Sequence, residues 1–304
     1  MIEQGPRSLE SPLEDKMKKK PSNTLILKIQ CPDKVGIVAA VSEFIAQHKG
    51  WVTEANYHSD PITGQFYMRS AVRADSLEIS AEAFRLAFQS IAKAFEMTFE
   101  LIDGQHKQRV VLFASKESHC LTDLLHRWSI NELSCDMVAV ISNHEVLADL
   151  CQFFNVPFHH IAIDPRQKKA SFEAVEEQLE RLSPDLIVLA RYMQIFPSGL
   201  CERYSSRVIN IHHSFLPSFA GAKPYHQAYD RGVKLIGATS HYVTEALDEG
   251  PIIEQDVIRV SHRHAISELA RLGRDIERVV LARAVRHHLE HRVFVSGQRT
   301  IVFD

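Results

Sequence analysis

Asn210 and His212 stand two residues apart at the end of the apolar run Val208–Ile211, within Asn210-Ile211-His212-His213-Ser214-Phe215-Leu216-Pro217. Along a strand, that spacing sends both side chains to one side of a rigid support. A carboxamide beside an imidazole suits attack on a carbonyl: the amide N–H stabilises the oxyanion, and the imidazole moves a proton near neutral pH. Such an imidazole needs an acid to orient it. Asp248, in Ala246-Leu247-Asp248-Glu249-Gly250-Pro251 after the apolar run Ile236–Val243, is the candidate, because Gly250 and Pro251 fix a turn able to aim it. A strand-end Asn or His alone is more often a packing or turn residue; the joint occurrence of all three carries the chemistry.

These residues need a sheet behind them. Val110–Ala114, Asp136–Ile141, Phe158–Ile163, Leu186–Ala190 and Val208–Ile211 are short apolar runs, separated by amphipathic stretches such as Leu121, Leu124, Leu125 and Trp128. Alternating strands and helices predict right-handed βαβ units and an α/β fold with a Rossmann-like, mostly parallel sheet over residues 109–304, its site at the carboxyl ends of the strands. Val293–Val295 and Thr300–Phe303, joined across Ser296-Gly297, predict a terminal hairpin.

The N-terminal third has another rhythm. Leu25, Leu27 and Ile29 alternate as in a strand, and Ile37, Val41, Phe44 and Ile45 recur at helical spacing. Trp51–Ser59 and the strand holding Phe66, Met68, Ser70 and Val72 flank a turn, a helical stripe runs from Ala83 to Ala94, and Met97, Phe99 and Leu101 alternate again. The order βαββαβ predicts a ferredoxin-like domain over 22–103, with a flexible tail over 1–21 and a polar linker at 104–108. On the residues alone, Asp33 caps the first helix and Gly36 permits close packing. The loop Cys31-Pro32-Asp33-Lys34-Val35-Gly36 also resembles that of the ACT family of amino-acid-sensing modules. That resemblance implies an effector site at Asp33 and Gly36, a homo-oligomer of at least two copies, and an amino-acid effector such as glycine or methionine.

Composition narrows the function classes. At 304 residues the chain exceeds one compact core; with 45% hydrophobic and 24% charged residues and a net charge of −3, it reads as an ordinary soluble protein. No nucleic-acid or membrane partner is expected. Cys31, Cys120, Cys135, Cys151 and Cys201 are odd in number and form no C-x-x-C pair, which favours reduced thiols. No secretory-type segment opens the sequence and no long apolar run occurs, so a cytoplasmic location is expected. Among the histidines, His287 and His291 are four apart on an expected helix, but H-E-x-x-H is absent; a solvated helical face is the reading, and no metal or cofactor is expected.

With these motifs in view, the chain resembles the folate-dependent formyltransferase superfamily over nearly everything after residue 21, and within it most closely the members that hydrolyse the formyl group. The resemblance implies that Asn210, His212 and Asp248 act together on the formyl group of 10-formyltetrahydrofolate, with the folate as substrate. It implies that Met193, Gln194, Ile195 and Phe196 hold the pterin, with Val243 to Asp248 as the other wall. His213 stands where the transferases usually carry proline. Lys223, beside the catalytic loop, leads Arg191, Arg207 and Arg259 as partner for the folate's acidic tail. The loop Ser115-Lys116-Glu117-Ser118-His119-Cys120 lacks the glycine-rich turn with which the similar glycinamide ribonucleotide formyltransferases cradle a phosphate, and it carries Glu117. Water is therefore the expected acceptor, giving formate and tetrahydrofolate, controlling the one-carbon folate pool and supplying formate for purine synthesis. A transferase with a non-phosphorylated acceptor and a sensing module without turnover are the alternatives.

Overall fold

The structure, a computed structural model, describes residues 23–217 and 224–304; the expected tail over 1–21 and Lys223 lie outside the described residues. The chain divides into two compact units between His106 and Lys107.

The first unit runs β1 (Thr24–Pro32), α1 (Ile37–Gln47), β2 (Trp51–Asp60), β3 (Gln65–Arg73), α2 (Ala81–Ala94) and β4 (Thr98–Asp103). Its sheet has the order β2-β3-β1-β4, every pair antiparallel, which is the ferredoxin-like arrangement. Leu25, Leu27 and Ile29 point to one face of β1, where they share a core with Val41, Phe44, Phe84 and Phe88 of the helices. Phe44 meets Phe84 and Phe88 edge-on at 4.9 and 5.2 Å. Each such buried ring contributes about 2–3 kcal/mol. One expectation fails here. Asp33 does not cap α1; Gly36 precedes the helix with φ of +98°, a conformation that favours glycine. The chain enters the helix through that left-handed residue. Asp33 instead ties the loop to the β2–β3 hairpin: its carboxylate accepts from the Ser59 hydroxyl, and its N–H donates to the Gly64 carbonyl at 2.8 Å.

The second unit begins β5 (Gln108–Ala114), α3 (His119–Ser129), β6 (Cys135–Ser142), α4 (Ala148–Phe153), β7 (Phe158–His160), α5 (Lys168–Leu182), β8 (Leu186–Leu189), α6 (Ser198–Arg203) and β9 (Val208–His212). It continues α7 (Pro224–Asp230), β10 (Leu235–Tyr242), β11 (Ile252–Arg259), α8 (Ile266–Leu289), β12 (Val293–Ser296) and β13 (Arg299–Val302). Seven strands form one sheet in the order β11-β10-β9-β8-β5-β6-β7. The pairs from β9 to β7 are parallel, and β10 and β11 add an antiparallel edge. Burial on both faces explains its near-continuous apolar strands. Val110, Leu112, Leu186 and Val188 pack with α3 and α8 residues such as Leu124 and Leu281, while Val111, Phe113, Ile187 and Leu189 pack on Phe172, Val175 and Leu179 of α5.

Two expectations are corrected here. The strand foreseen over Phe158–Ile163 stops at His160, because β6 ends at Ser142, whose carbonyl accepts the last bond from the Ile161 N–H at 2.9 Å. His287 and His291 share no solvated helical face. His287 is buried on α8 with Nε2 3.7 Å from Glu254, while His291 lies past the helix end with φ of +55°. No helix among the described residues is long and apolar enough to cross a membrane.

Candidate active site

Strand alternation places Asn210 and His212 on the Val208 face of β9, as their spacing predicts. The antiparallel neighbour β10 sets Thr239 opposite His212 and His241 opposite Asn210, so His241 joins the same face. The chain leaving β10 closes a loop: Val243 N–H donates to the Val208 carbonyl at 2.8 Å, and Tyr242 N–H to the Pro251 carbonyl at 2.9 Å. Closure depends on Gly250, where a β-carbon would lie 1.7 Å from the Tyr242 oxygen. Within this loop Asp248, at φ of +59°, is carried back over the sheet until Oδ2 lies 3.2 Å from His212 Nδ1.

The electrostatics follow from these contacts. The hydrogen bond from His212 is the largest influence on Asp248 and holds its carboxyl well below the usual range, outweighing the opposing effect of burial. Asp248 is therefore ionised, and His212 Nδ1 carries the proton it receives. His212 Nε2 is buried and has no protein hydrogen-bond partner among the described residues, which leaves a basic nitrogen available. His241 Nδ1 lies 2.9 Å from the Tyr242 carbonyl and donates to it, while Nε2 lies 3.2 Å from the Asn210 amide nitrogen and 3.7 Å from Asp248 Oδ1; in the neutral ring that Nε2 accepts from the amide. That bond fixes which end of the carboxamide is the donor and leaves its second N–H free to serve an oxyanion. His241 escapes sequence reasoning because only the β9–β10 register brings it beside Asn210. The next residue of the strand-end motif, His213, is pushed down to about 4, first by burial and then by the charge of Arg191, so it is neutral near pH 7.

These groups open onto a cleft of about 400 Å³ between the 189–196 segment and the 243–248 loop, a size that suits a small aromatic ligand. Met193, Gln194, Ile195, Phe196, His213 and Val243 all line it. Met193 and Ile195 are 58% and 55% exposed, so the cleft presents apolar surface to any ring that enters. Phe196 is instead rooted in the core, edge-on to Phe113 at 5.3 Å. Ser115 pins this wall: its hydroxyl donates to Asn143 Oδ1 at 2.7 Å and accepts from the Met193 N–H at 2.9 Å. Its N–H donates to the carbonyl of Arg191, which has φ of +64°. Of the basic residues weighed for the folate tail, Arg191 reaches the cleft, whereas Arg207 stacks over Tyr204 at 5.1 Å.

A second polar cluster lies behind the cleft. His119, Cys120 and Glu277 each bring a potential ligand atom within 4.8 Å of the others. The carboxylate already has its partners: hydrogen bonds from His119 Nε2 at 2.8 Å and from the Tyr225 hydroxyl at 2.7 Å, and an ion pair with Arg191 Nε at 3.4 Å that is not a hydrogen bond. Burial alone would push the Glu277 carboxyl up, but these three hold it below the usual range. Burial pushes the Cys120 thiol well up, so it stays protonated. A cation would have to displace the guanidinium and ionise a buried thiol, so hydrogen bonding explains this cluster better than metal binding.

Known proteins resemble the chain in the same places. The formyl transferase family model matches residues 108–285, the span that carries the sheet, the trio and the cleft. A formyltetrahydrofolate deformylase of Bacillus subtilis is 48% identical over 280 residues, covering 91% of this chain and 93% of the relative. The chain belongs to the formyltetrahydrofolate deformylase family. A crystal structure of a family member from Pseudomonas syringae pv. tomato matches with a TM-score of 0.92 and 54% identity, covering 96% of this chain and 98% of that one. A glycinamide ribonucleotide transformylase from Symbiobacterium toebii matches more narrowly, at a TM-score of 0.62 and 29% identity over 66% of this chain and 95% of its own. The family likeness thus extends through both units, and the transferase likeness over about two-thirds of the chain.

Proposed function

We propose that this chain hydrolyses 10-formyltetrahydrofolate to formate and tetrahydrofolate, with Asn210, His212 and Asp248 as its catalytic residues. The observation that carries this reading is the free Nε2 of His212, backed by Asp248 at 3.2 Å and set beside the Asn210 amide in an apolar cleft. Asp248 holds the imidazole in the tautomer whose Nε2 is basic. That nitrogen takes a proton from water as the oxygen attacks the formyl carbon. The Asn210 N–H not engaged by His241 donates to the resulting oxyanion. Collapse returns the proton from His212 to N10 and releases formate. One oxyanion donor of this kind is worth roughly 3–4 kcal/mol, and a general base about 10² to 10⁴ in rate.

Met193, Gln194, Ile195, Phe196 and Val243 supply the pterin walls in this reading, and neutral His213 adds a polar contact without a competing charge. No bound cofactor takes part. The N-terminal unit serves as an ACT-like regulatory domain in a cytoplasmic homo-oligomer, with Asp33 and Gly36 at an amino-acid effector site for glycine or methionine. Titrating those amino acids into the turnover assay without effect removes the effector assignment. The hydrolytic reading is tested by incubating purified protein with 10-formyltetrahydrofolate alone: formate and tetrahydrofolate appear in equal amounts. Tetrahydrofolate that appears only after an amine acceptor is supplied, with a formylated amine in place of formate, would assign transfer instead.

A further inference from the structure

We infer that Tyr225, Glu277 and His119, locked together with Arg191, close the side of the active site from which a second substrate would approach, and so restrict the formyl acceptor to water. This deepens the hydrolytic reading and rests on it.

The cluster joins four separate pieces of chain. Glu277 is 1% exposed on α8, and its two oxygens are divided between the Tyr225 hydroxyl of α7 and His119 of α3. Arg191, from the segment after β8, reaches the carboxylate from the cleft wall. The helix is shaped for the tyrosine. Gly273 lies one turn before Glu277 on the same helical face, and a β-carbon there would come within 1.9 Å of the Tyr225 oxygen. A small residue followed four positions later by a carboxylate thus forms a slot that seats a phenol ring and bonds its hydroxyl.

The slot adjoins the reacting groups. The Tyr225 ring lies 6.3 Å from that of His213, which is 5.1 Å from the ring of His212. Among the described residues, the pocket that His213 and Tyr225 share with Ala228 and Ile236 holds about 30 Å³, room for a water or two. An amine acceptor larger than water meets a ring and a paired carboxylate there, whereas water needs no such space. The carboxylate is what would hold an amine if it were unpaired, and here its partners already occupy it. Closure by this cluster acts together with the glycine-free loop ahead of α3, which offers no bare amides to an anionic acceptor.

The experiment supplies purified enzyme with 10-formyltetrahydrofolate and a graded excess of glycinamide, and measures formate and N-formylglycinamide by mass spectrometry. In the transfer reaction the amine nitrogen bonds to the formyl carbon, the N10–C bond breaks, and one amine proton passes to N10. The parent enzyme yields formate with only traces of formylated amine. Tyr225→Ala raises the ratio of formylated amine to formate at least tenfold, and adding Glu277→Gln to it lowers that gain. Tyr225→Leu reads the same ratio, with a smaller rise of at least threefold, if the alanine variant shows no thermal unfolding transition. An unchanged ratio in the folded Tyr225 variants, or ready transfer to glycinamide by the parent enzyme, overturns the inference. Absence of formate from the parent enzyme without amine overturns the hydrolytic reading instead.

Discussion

Two carboxylates in the C-terminal unit each face a histidine: Asp248 Oδ2 lies 3.2 Å from His212 Nδ1, and Glu277 Oε2 lies 2.8 Å from His119 Nε2. Their surroundings differ in what they leave free. Asp248 sits on a loop at the cleft, and its histidine keeps an unbonded basic nitrogen. Glu277 is sunk in a helix face, and Tyr225 and Arg191 join His119 around it. The same pair of groups therefore supports reactivity where one valence stays open, and fixes shape where the carboxylate is fully partnered. Removing the first should be felt in rate and removing the second in folding.

The sharpest break is expected from His212→Ala or Asp248→Asn, either of which should lower formate release by about 10² to 10⁴ while leaving the far-ultraviolet circular dichroism unchanged. Wild-type turnover in either variant would remove the trio. Next comes Asn210→Ala, for which steady-state kinetics should register a fall of about 10² to 10³ in kcat with KM little altered, since the amide acts on the oxyanion. Glu277→Ala should show the opposite pattern. Leaving Arg191 without its buried counter-charge and His119 without its acceptor should cost about 3 kcal/mol in chemical denaturation, more than Glu277→Gln, which keeps the hydrogen bonds. If both variants matched the parent in stability, the cluster would have no structural role.

The last effect is seen only when pH is lowered. His213 is lowered from the ordinary 6.5 to about 4, so between those values the unfolded chain binds the extra proton and the folded chain does not. Stability is then full above pH 6.5 and falls by up to roughly 3 kcal/mol as pH drops towards 4. Thermal melts of His213→Gln across that range should show a flatter dependence than those of the parent.

Much of this was legible because it is written in short periods. Leu25, Leu27 and Ile29, or Val110 through Ala114, announce strands by their own spacing, and Asn210 and His212 share a face because one residue separates them. The aiming of Asp248 was legible as a turn at Gly250-Pro251, although the stronger reason, the approach of Gly250 to the Tyr242 carbonyl, needs coordinates. What stayed hidden depends on pairings between distant residues. His241 becomes part of the site only through its register with Asn210, 31 residues earlier, and His119 meets Glu277 across 158 residues. Nothing in the periodicity of α8 separates Glu277 from the solvated acids of other helices. Asp33 misled for a local reason: it has the right chemistry for a helix cap, but the left-handed Gly36 takes the chain into α1 instead.

Arg191 and Asp248 lie on opposite walls of one cleft, and both hold a left-handed backbone without being glycine. Residues other than glycine maintain such conformations at a cost of order 1–3 kcal/mol each, and the surrounding contacts must supply it. Glycine at either position would relieve that cost, yet at 191 it would also strip the buried Glu277 of its guanidinium, and at 248 it would strip His212 of its carboxylate. In this fold, backbone strain is held in place by side-chain pairing at two identifiable peptide units.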